Sequence, residues 1–122
     1  MNELTDSLPS ADATDQRRYR WSNPRLFTLT VVGDSMRDDQ GEISFEEGDI
    51  LYVDPDLEAR HRNIVIVRTH DDSCATFKQL LIEPDGRKIL RALNPSWPNR
   101  AFEMPGNAQI VGVVVAKFCD VD

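Results

Sequence analysis

From Leu26 onward the chain is cut into short runs of β-branched, aliphatic and aromatic residues, each closed by a turn signal. Leu26-Phe27-Thr28-Leu29-Thr30-Val31-Val32 stops at Gly33, and Ile50-Leu51-Tyr52-Val53 is closed by Asp54-Pro55. Asn63 to Thr69 leads into the polar turn His70-Asp71-Asp72-Ser73, and Ala75 to Ile82 follows as its hairpin partner. Asp85-Gly86-Arg87 then separates that strand from Lys88 to Leu93, and Gln109 to Phe118 is the most apolar run of all. Runs of this length, bounded by Gly, Pro, Asn and Asp, read as strands rather than helices. Helical spacing is scarce, with room for one turn at Ser35 to Gln40 and another at Pro55 to Arg62. The expected fold is therefore mostly β: a compact, barrel-like domain with short helical turns.

A chain of 122 residues is enough for one domain with a modest core. Residues 1–24 stand apart, because Leu4 and Leu8 are nearly the only aliphatic residues larger than Ala among them. Such a segment buries too little surface to order itself, so 1–24 reads as a polar arm and 25–122 as the folded domain. Acids outnumber bases 21 to 14, for a formal charge of −7. That balance argues against the chain gripping DNA by itself, since phosphate neutralisation carries much of such affinity. The short basic run Arg17-Arg18-Tyr19-Arg20 beside Trp21 reads as a solvated or partner-facing segment. No apolar run approaches a membrane span and the polar start has no signal-peptide core, so the cytoplasm is the default location. Cys74 and Cys119 lie far apart without metal-ligand spacing and read as reduced structural thiols. Neither a metal nor a cofactor is expected.

The chemistry concentrates in Gly33-Asp34-Ser35-Met36 and in Lys78, 43 positions after the serine, within Ala75-Thr76-Phe77-Lys78-Gln79-Leu80. A serine on a turn after an apolar strand and a lysine inside a later strand are the raw material of a Ser–Lys dyad. In such a pair a neutral amine replaces histidine as general base. A solvated lysine cannot serve, because its pKa near ~10.4 keeps it charged. Burial among apolar groups lowers that value, and strand alternation sets Lys78 on one face with Thr76 and Leu80. Gly33 permits the sharp reversal that exposes the serine oxygen and turns backbone N–H groups toward a developing oxyanion. Lys88, beside a turn, and Lys117, near the chain end, are weaker bases on position alone. A Ser35–His70–Asp arrangement is the other option on paper, but His70 opens a polar turn and reads as exposed, as does His61 between two arginines. In Asn94-Pro95-Ser96-Trp97-Pro98 the tryptophan reads as a loop anchor.

Gly33-Asp34-Ser35-Met36, Thr76-Phe77-Lys78-Gln79-Leu80 and Glu47-Gly48-Asp49-Ile50-Leu51-Tyr52-Val53-Asp54-Pro55 together resemble the carboxy-terminal domain of LexA-type repressors. That family also holds the lambdoid phage repressors and UmuD, and the resemblance, from about Leu26 to Phe118, is nearest to the phage-repressor branch. It implies a compact β-fold of the LexA and signal-peptidase type, with Ser35 as nucleophile and Lys78 as its base. Gly33, Asp34 and Met36 would shape the turn and oxyanion site. The implied reaction is self-cleavage of a linker bond, stimulated by the RecA–single-stranded DNA filament, which separates the DNA-reading half from the dimerising half. The implied partners are a second copy as homodimer and operator DNA, the latter only through a helix-turn-helix that this sequence lacks. The family usually cuts Ala-Gly or Cys-Gly. None of the six glycines here follows Ala or Cys, so the scissile bond is expected upstream of residue 1 or never existed. A non-cleaving dimerisation module and a UmuD-like subunit of a translesion polymerase are the alternative readings.

Overall fold

The computed structural model describes residues 21–69 and 75–119. Seven strands, β1 (Phe27–Thr30), β2 (Ile50–Asp54), β3 (Ile64–Thr69), β4 (Ala75–Ile82), β5 (Lys88–Arg91), β6 (Ala101–Glu103) and β7 (Ala108–Phe118), form one antiparallel sheet. Its order is β1-β2-β7-β3-β4-β5-β6. The mostly-β expectation is what the chain builds, and β4 has the bounds that the sequence suggests. Among the described residues no helix is long and apolar enough to cross a membrane. The expected arm lies outside the described residues as far as Arg20. Its last residues are seated on β2, where Trp21 meets Tyr52 edge-on at 6.1 Å and the Asn23 side chain donates to Asp54.

β3 explains why the sequence looks continuously apolar there rather than alternating. Ile64 and Ile66 face one cluster, with Val31, Met36, Phe45, Leu51, Val53 and Leu93. Val65 and Val67 face a second, with Leu80, Leu90 and Val113. Both faces of the strand are covered, so neither parity needs polar residues.

β7 is central, paired on one side with β2 and on the other with β3. Each neighbour covers only half of this run: β3 pairs with residues 108–113 and β2 with residues 113–118, so among the described residues the edge of β7 at 114–118 has no strand partner on the side away from β2. Two register shifts let one long strand serve two neighbours: Val115 is extra opposite Tyr52 and Val53, and Val111 is extra opposite Ile66 and Val67. Gly112, between them, sits where a β-carbon would collide with the Val53 side chain, so the close approach of β2 and β7 requires glycine.

The two expected helical turns are turns without helix. From Ser35 to Gln40 the carbonyls that would start a helix are taken elsewhere. Asn94 N–H donates to the Ser35 carbonyl at 3.0 Å and Phe45 N–H to the Met36 carbonyl at 2.9 Å. From Pro55 to Arg62 the amides are likewise diverted, with Arg62 N–H bonded to the Leu80 carbonyl and Arg60 N–H to the Asn63 side chain. β6 has no counterpart in the sequence reading. At three residues it is too short to show a period, and it exists because Phe102 pairs with Leu90 and packs beside the second cluster.

Candidate active site

Ser35 stands on a loop that leaves the sheet after β1 and rejoins it at β2. The loop is closed at its neck by two backbone bonds, Val31 N–H to the Asp49 carbonyl and Gly48 N–H to the Val31 carbonyl. Gly33 adopts φ +86°, a left-handed conformation that side-chain-bearing residues resist, and it reverses the chain just before the serine. Arg37 N–H then donates to the Asp34 carbonyl at 3.0 Å, placing Ser35 and Met36 at the two central positions of a β-turn. Met36 holds this turn down. Its side chain is 1% exposed in the first cluster, and its sulfur accepts the Leu93 N–H at 3.3 Å.

Lys78 comes from β4, opposite Val65 on β3, so its stem lies on the face of the second cluster. It is 8% exposed, and that burial lowers its pKa from the ordinary lysine value. The amine has three oxygen neighbours: Ser35 Oγ at 3.3 Å, Thr76 Oγ1 at 3.1 Å and the Phe77 carbonyl at 3.3 Å. Desolvation alone moves it, with no carboxylate among the described residues to hold the charge.

Lys117, the rival base, has the opposite setting. It donates to the Ser44 carbonyl at 2.7 Å and to the buried Asp49 carboxylate at 3.2 Å. Burial by itself would lower its pKa, but the Asp49 hydrogen bond and charge outweigh this and raise it. Lys117 is thus a charged staple between β7 and the serine loop, which is a firmer reason to set it aside than its place near the chain end. Lys88 is exposed, and so is His61, whose Nδ1 accepts the Ile82 N–H. His70 and Cys74 lie outside the described residues. Cys119 is free and exposed rather than packed in the core. Trp97 is 38% exposed, and its backbone N–H donates to the Asn94 carbonyl at 3.1 Å. The residue that ties its loop to the site is Asn94, whose side-chain amide donates to the Asp34 carbonyl at 3.0 Å. Position in the sequence gave Asn94 no prominence. An Asn before Pro at the end of a strand is an ordinary turn signal, and only the fold brings it against the serine.

Beside Ser35 lies a cleft of about 250 Å³ lined by Leu29, Val32, Leu51, Ile66, Thr76 and Phe77 among others. Val32 on its rim is 81% exposed, a large apolar residue left open next to the hydroxyl. The arrangement offers a hydroxyl, an amine inclined to be neutral and an apolar cleft along one side. Those are the parts that acyl transfer from a peptide carbonyl requires. A wider hollow of about 680 Å³, between the acidic 38–46 segment and Val114 to Lys117, excludes Ser35; its own lysine, Lys117, has a raised pKa and binds the Ser44 carbonyl rather than the Ser44 hydroxyl.

Comparison with known proteins agrees in kind. The family pattern described as Peptidase S24-like matches residues 2–115. The HTH-type transcriptional regulator for conjugative element R391 of Providencia rettgeri is 37% identical over 119 residues, covering 97% of this chain and 54% of the regulator. Prophage repressor CohE of Escherichia coli is 40% identical over 89 residues, covering 73% of this chain and 37% of the repressor. Repressor protein C2 of Salmonella phage P22 is 44% identical over 89 residues, covering 73% of this chain and 39% of the repressor. The chain spans about half the length, or less, of these curated relatives.

Proposed function

The chain belongs to the Peptidase S24-like family, in the branch that holds phage-type repressors, and on that footing we propose that it is the carboxy-terminal self-cleaving and dimerising domain of a transcriptional repressor. Ser35 is the nucleophile and Lys78 its general base. One observation carries the reading: a buried, desolvated amine 3.3 Å from a serine hydroxyl on a tight turn.

The amine's surroundings fit the neutral form. A neutral –NH₂ has two N–H donors and one lone pair. The Phe77 carbonyl can only accept, and the Thr76 hydroxyl is free to do so, which occupies both donors. The lone pair is left for the Ser35 O–H. As the hydroxyl attacks a peptide carbonyl, its proton passes to Lys78 Nζ. The resulting ammonium then protonates the leaving amine, and water, deprotonated by the same lysine, releases the acyl group from Ser35. Gly33, Asp34 and Met36 shape the turn beside the place of the oxyanion, where Asp34 is exposed.

The bond cut is supplied by a longer chain carrying the region before this domain, since no glycine here follows Ala or Cys. Cleavage there would detach a helix-turn-helix half from its operator in response to a signal of the RecA–single-stranded DNA type. Incubating this chain with that longer protein, silenced by Ser35→Ala, should give slow cleavage in trans, because tethering normally supplies the missing effective concentration. Equal cleavage by the Ser35→Ala form of this chain would assign the activity to a contaminant, and the dyad would lose its support. Complete absence of cleavage, where the intact longer protein cuts itself, would remove the trans reaction.

Dimerisation is the second half of the reading. It rests on the strand edge that β7 leaves unpaired at residues 114–118, on the side away from β2, and on the half-buried apolar face of the same stretch, with the exposed Ile43 nearby along the wide hollow. Two-fold pairing is the commonest way to cover such a face. Sedimentation at micromolar concentration should show about twice the 13.9 kDa chain mass. A species at the chain mass alone would count against it.

A further inference from the structure

We infer that Asn94 is a positioning residue that aims the backbone N–H groups of Ser35 and Met36 at the place of the oxyanion, an inference that rests on the Ser35–Lys78 reading above.

The argument begins with peptide geometry. In a trans peptide the C=O and the N–H of the same unit point in opposite directions, and no cis peptide occurs among the described residues. The unit joining Asp34 to Ser35 contributes the Asp34 carbonyl and the Ser35 N–H. The next unit contributes the Ser35 carbonyl and the Met36 N–H. Asn94 holds both carbonyls: its side-chain amide donates to Asp34 at 3.0 Å and its backbone N–H donates to Ser35 at 3.0 Å. With both carbonyls drawn toward Asn94, both N–H groups are turned the other way. The β-turn itself leaves those two N–H groups outside its ring, because its closing bond uses the Arg37 N–H.

The grip is built rather than incidental. The Asn94 side-chain oxygen accepts the Ser96 N–H at 2.9 Å, so the NH₂ end must be the one facing Asp34. The Asn94 carbonyl accepts the Trp97 N–H at 3.1 Å. Arg100 braces the segment before it, donating to the Ala92 and Leu93 carbonyls at 3.0 and 3.2 Å. A residue from the far side of the sheet order thus fixes two peptide planes around the nucleophile, the kind of preorganised donor pair that stabilises charge developing in a transition state. Hydrogen bonds to the two carbonyls also polarise the same peptide units, which makes their N–H groups better donors.

Asn94→Asp is the sharp test. It keeps the shape and the bond from Ser96, but sets a carboxylate oxygen against the Asp34 carbonyl where a donor stood. Asn94→Ala removes the donor without adding charge. In isotope-labelled samples of this chain, NMR should show a coupling through the hydrogen bond from Asn94 N to the Ser35 carbonyl carbon. Both variants should shift the Ser35 and Met36 amide signals while leaving those of Gln79 and Leu80 in place. Unmoved Ser35 and Met36 signals would overturn the inference, whether or not the protein cuts anything. In the longer self-cleaving protein, either variant should lower the high-pH rate plateau by about tenfold or more with the pH midpoint unchanged. A plateau within about threefold of the parent, or a fall accompanied by a moved midpoint, would also overturn it, the latter by showing that Asn94 acts on Lys78. A parent protein that does not cut itself would instead defeat the dyad reading, and the NMR arm would still decide where the amides point.

Discussion

Replacing Lys78 by Met in the longer protein, or Ser35 by Ala, should slow self-cleavage by about three orders of magnitude or more while leaving the β-sheet signature intact. The two substitutions should be no worse together than apart, because nucleophile and base act as one unit. Lys78→Met is the better probe of the base, since it keeps the buried stem that packs on the face of Val65, Val67 and Leu80. The parent rate should rise about tenfold per pH unit at first, then level off as Lys78 loses its proton. That levelling should come below the ordinary lysine value of 10.5, because burial lowers the pKa of Lys78. Lys117 titrates on the other side of that value, raised through Asp49, so a midpoint above 10.5 would point to the wrong lysine. First-order cleavage rates between about pH 6 and 11 give the measurement. A Lys78→Met protein that cuts at the parent rate, or a parent rate flat across this range, would remove Lys78 from the mechanism.

The parts of this site that the sequence reveals are those with a local cause. A strand shows itself through its residues, so β4 and the parity that sets Lys78 with Thr76 and Leu80 can be read without coordinates. Gly33 announces the reversal before Ser35 because its φ of +86° suits few other residues. What stays hidden depends on sequence-distant partners. Asn94 acquires its place only when the β5–β6 connection folds over the serine turn, 60 residues from the Asp34 carbonyl that it binds. Lys117 looks like a near-terminal lysine until β7 is threaded between β2 and β3, which carries it to Asp49. The same threading covers half of each β7 edge and leaves residues 114–118 unpaired on the side away from β2, which composition alone does not show. The segment after Ser35 has a helix-sized gap but no helix, since its carbonyls are claimed by Phe45 and Asn94. Local propensity is a weak prior wherever tertiary hydrogen bonds compete for the same groups.

A base made by burial has to cost stability, and the sign of that cost is testable in this chain without any cleavage assay. Lys78 is 8% exposed and its pKa is lowered, so between the folded value and 10.5 the unfolded chain holds a proton that the folded chain has released. Stability contributed by this group therefore rises with pH across that window. Below the window both states are protonated and the full penalty of the buried ammonium applies, whereas above 10.5 both are neutral and the penalty is gone. Lys78→Met has no such group. It should be more stable than the parent by about 1–3 kcal/mol at pH 7. The advantage should shrink steadily as pH approaches 10.5. Other groups that ionise in this range, Tyr52 and Cys119 among them, are present in both proteins and cancel in the difference. Urea unfolding of parent and variant at matched protein concentration, from pH 7 to 10.5, measures it, with concentration fixed so that self-association does not enter the comparison. A variant less stable than the parent at pH 7 would mean that the ammonium is well accommodated where it lies. A difference that does not change with pH would mean that packing, not ionisation, separates the two. Either result would show that the site does not hold its lysine ready to lose a proton.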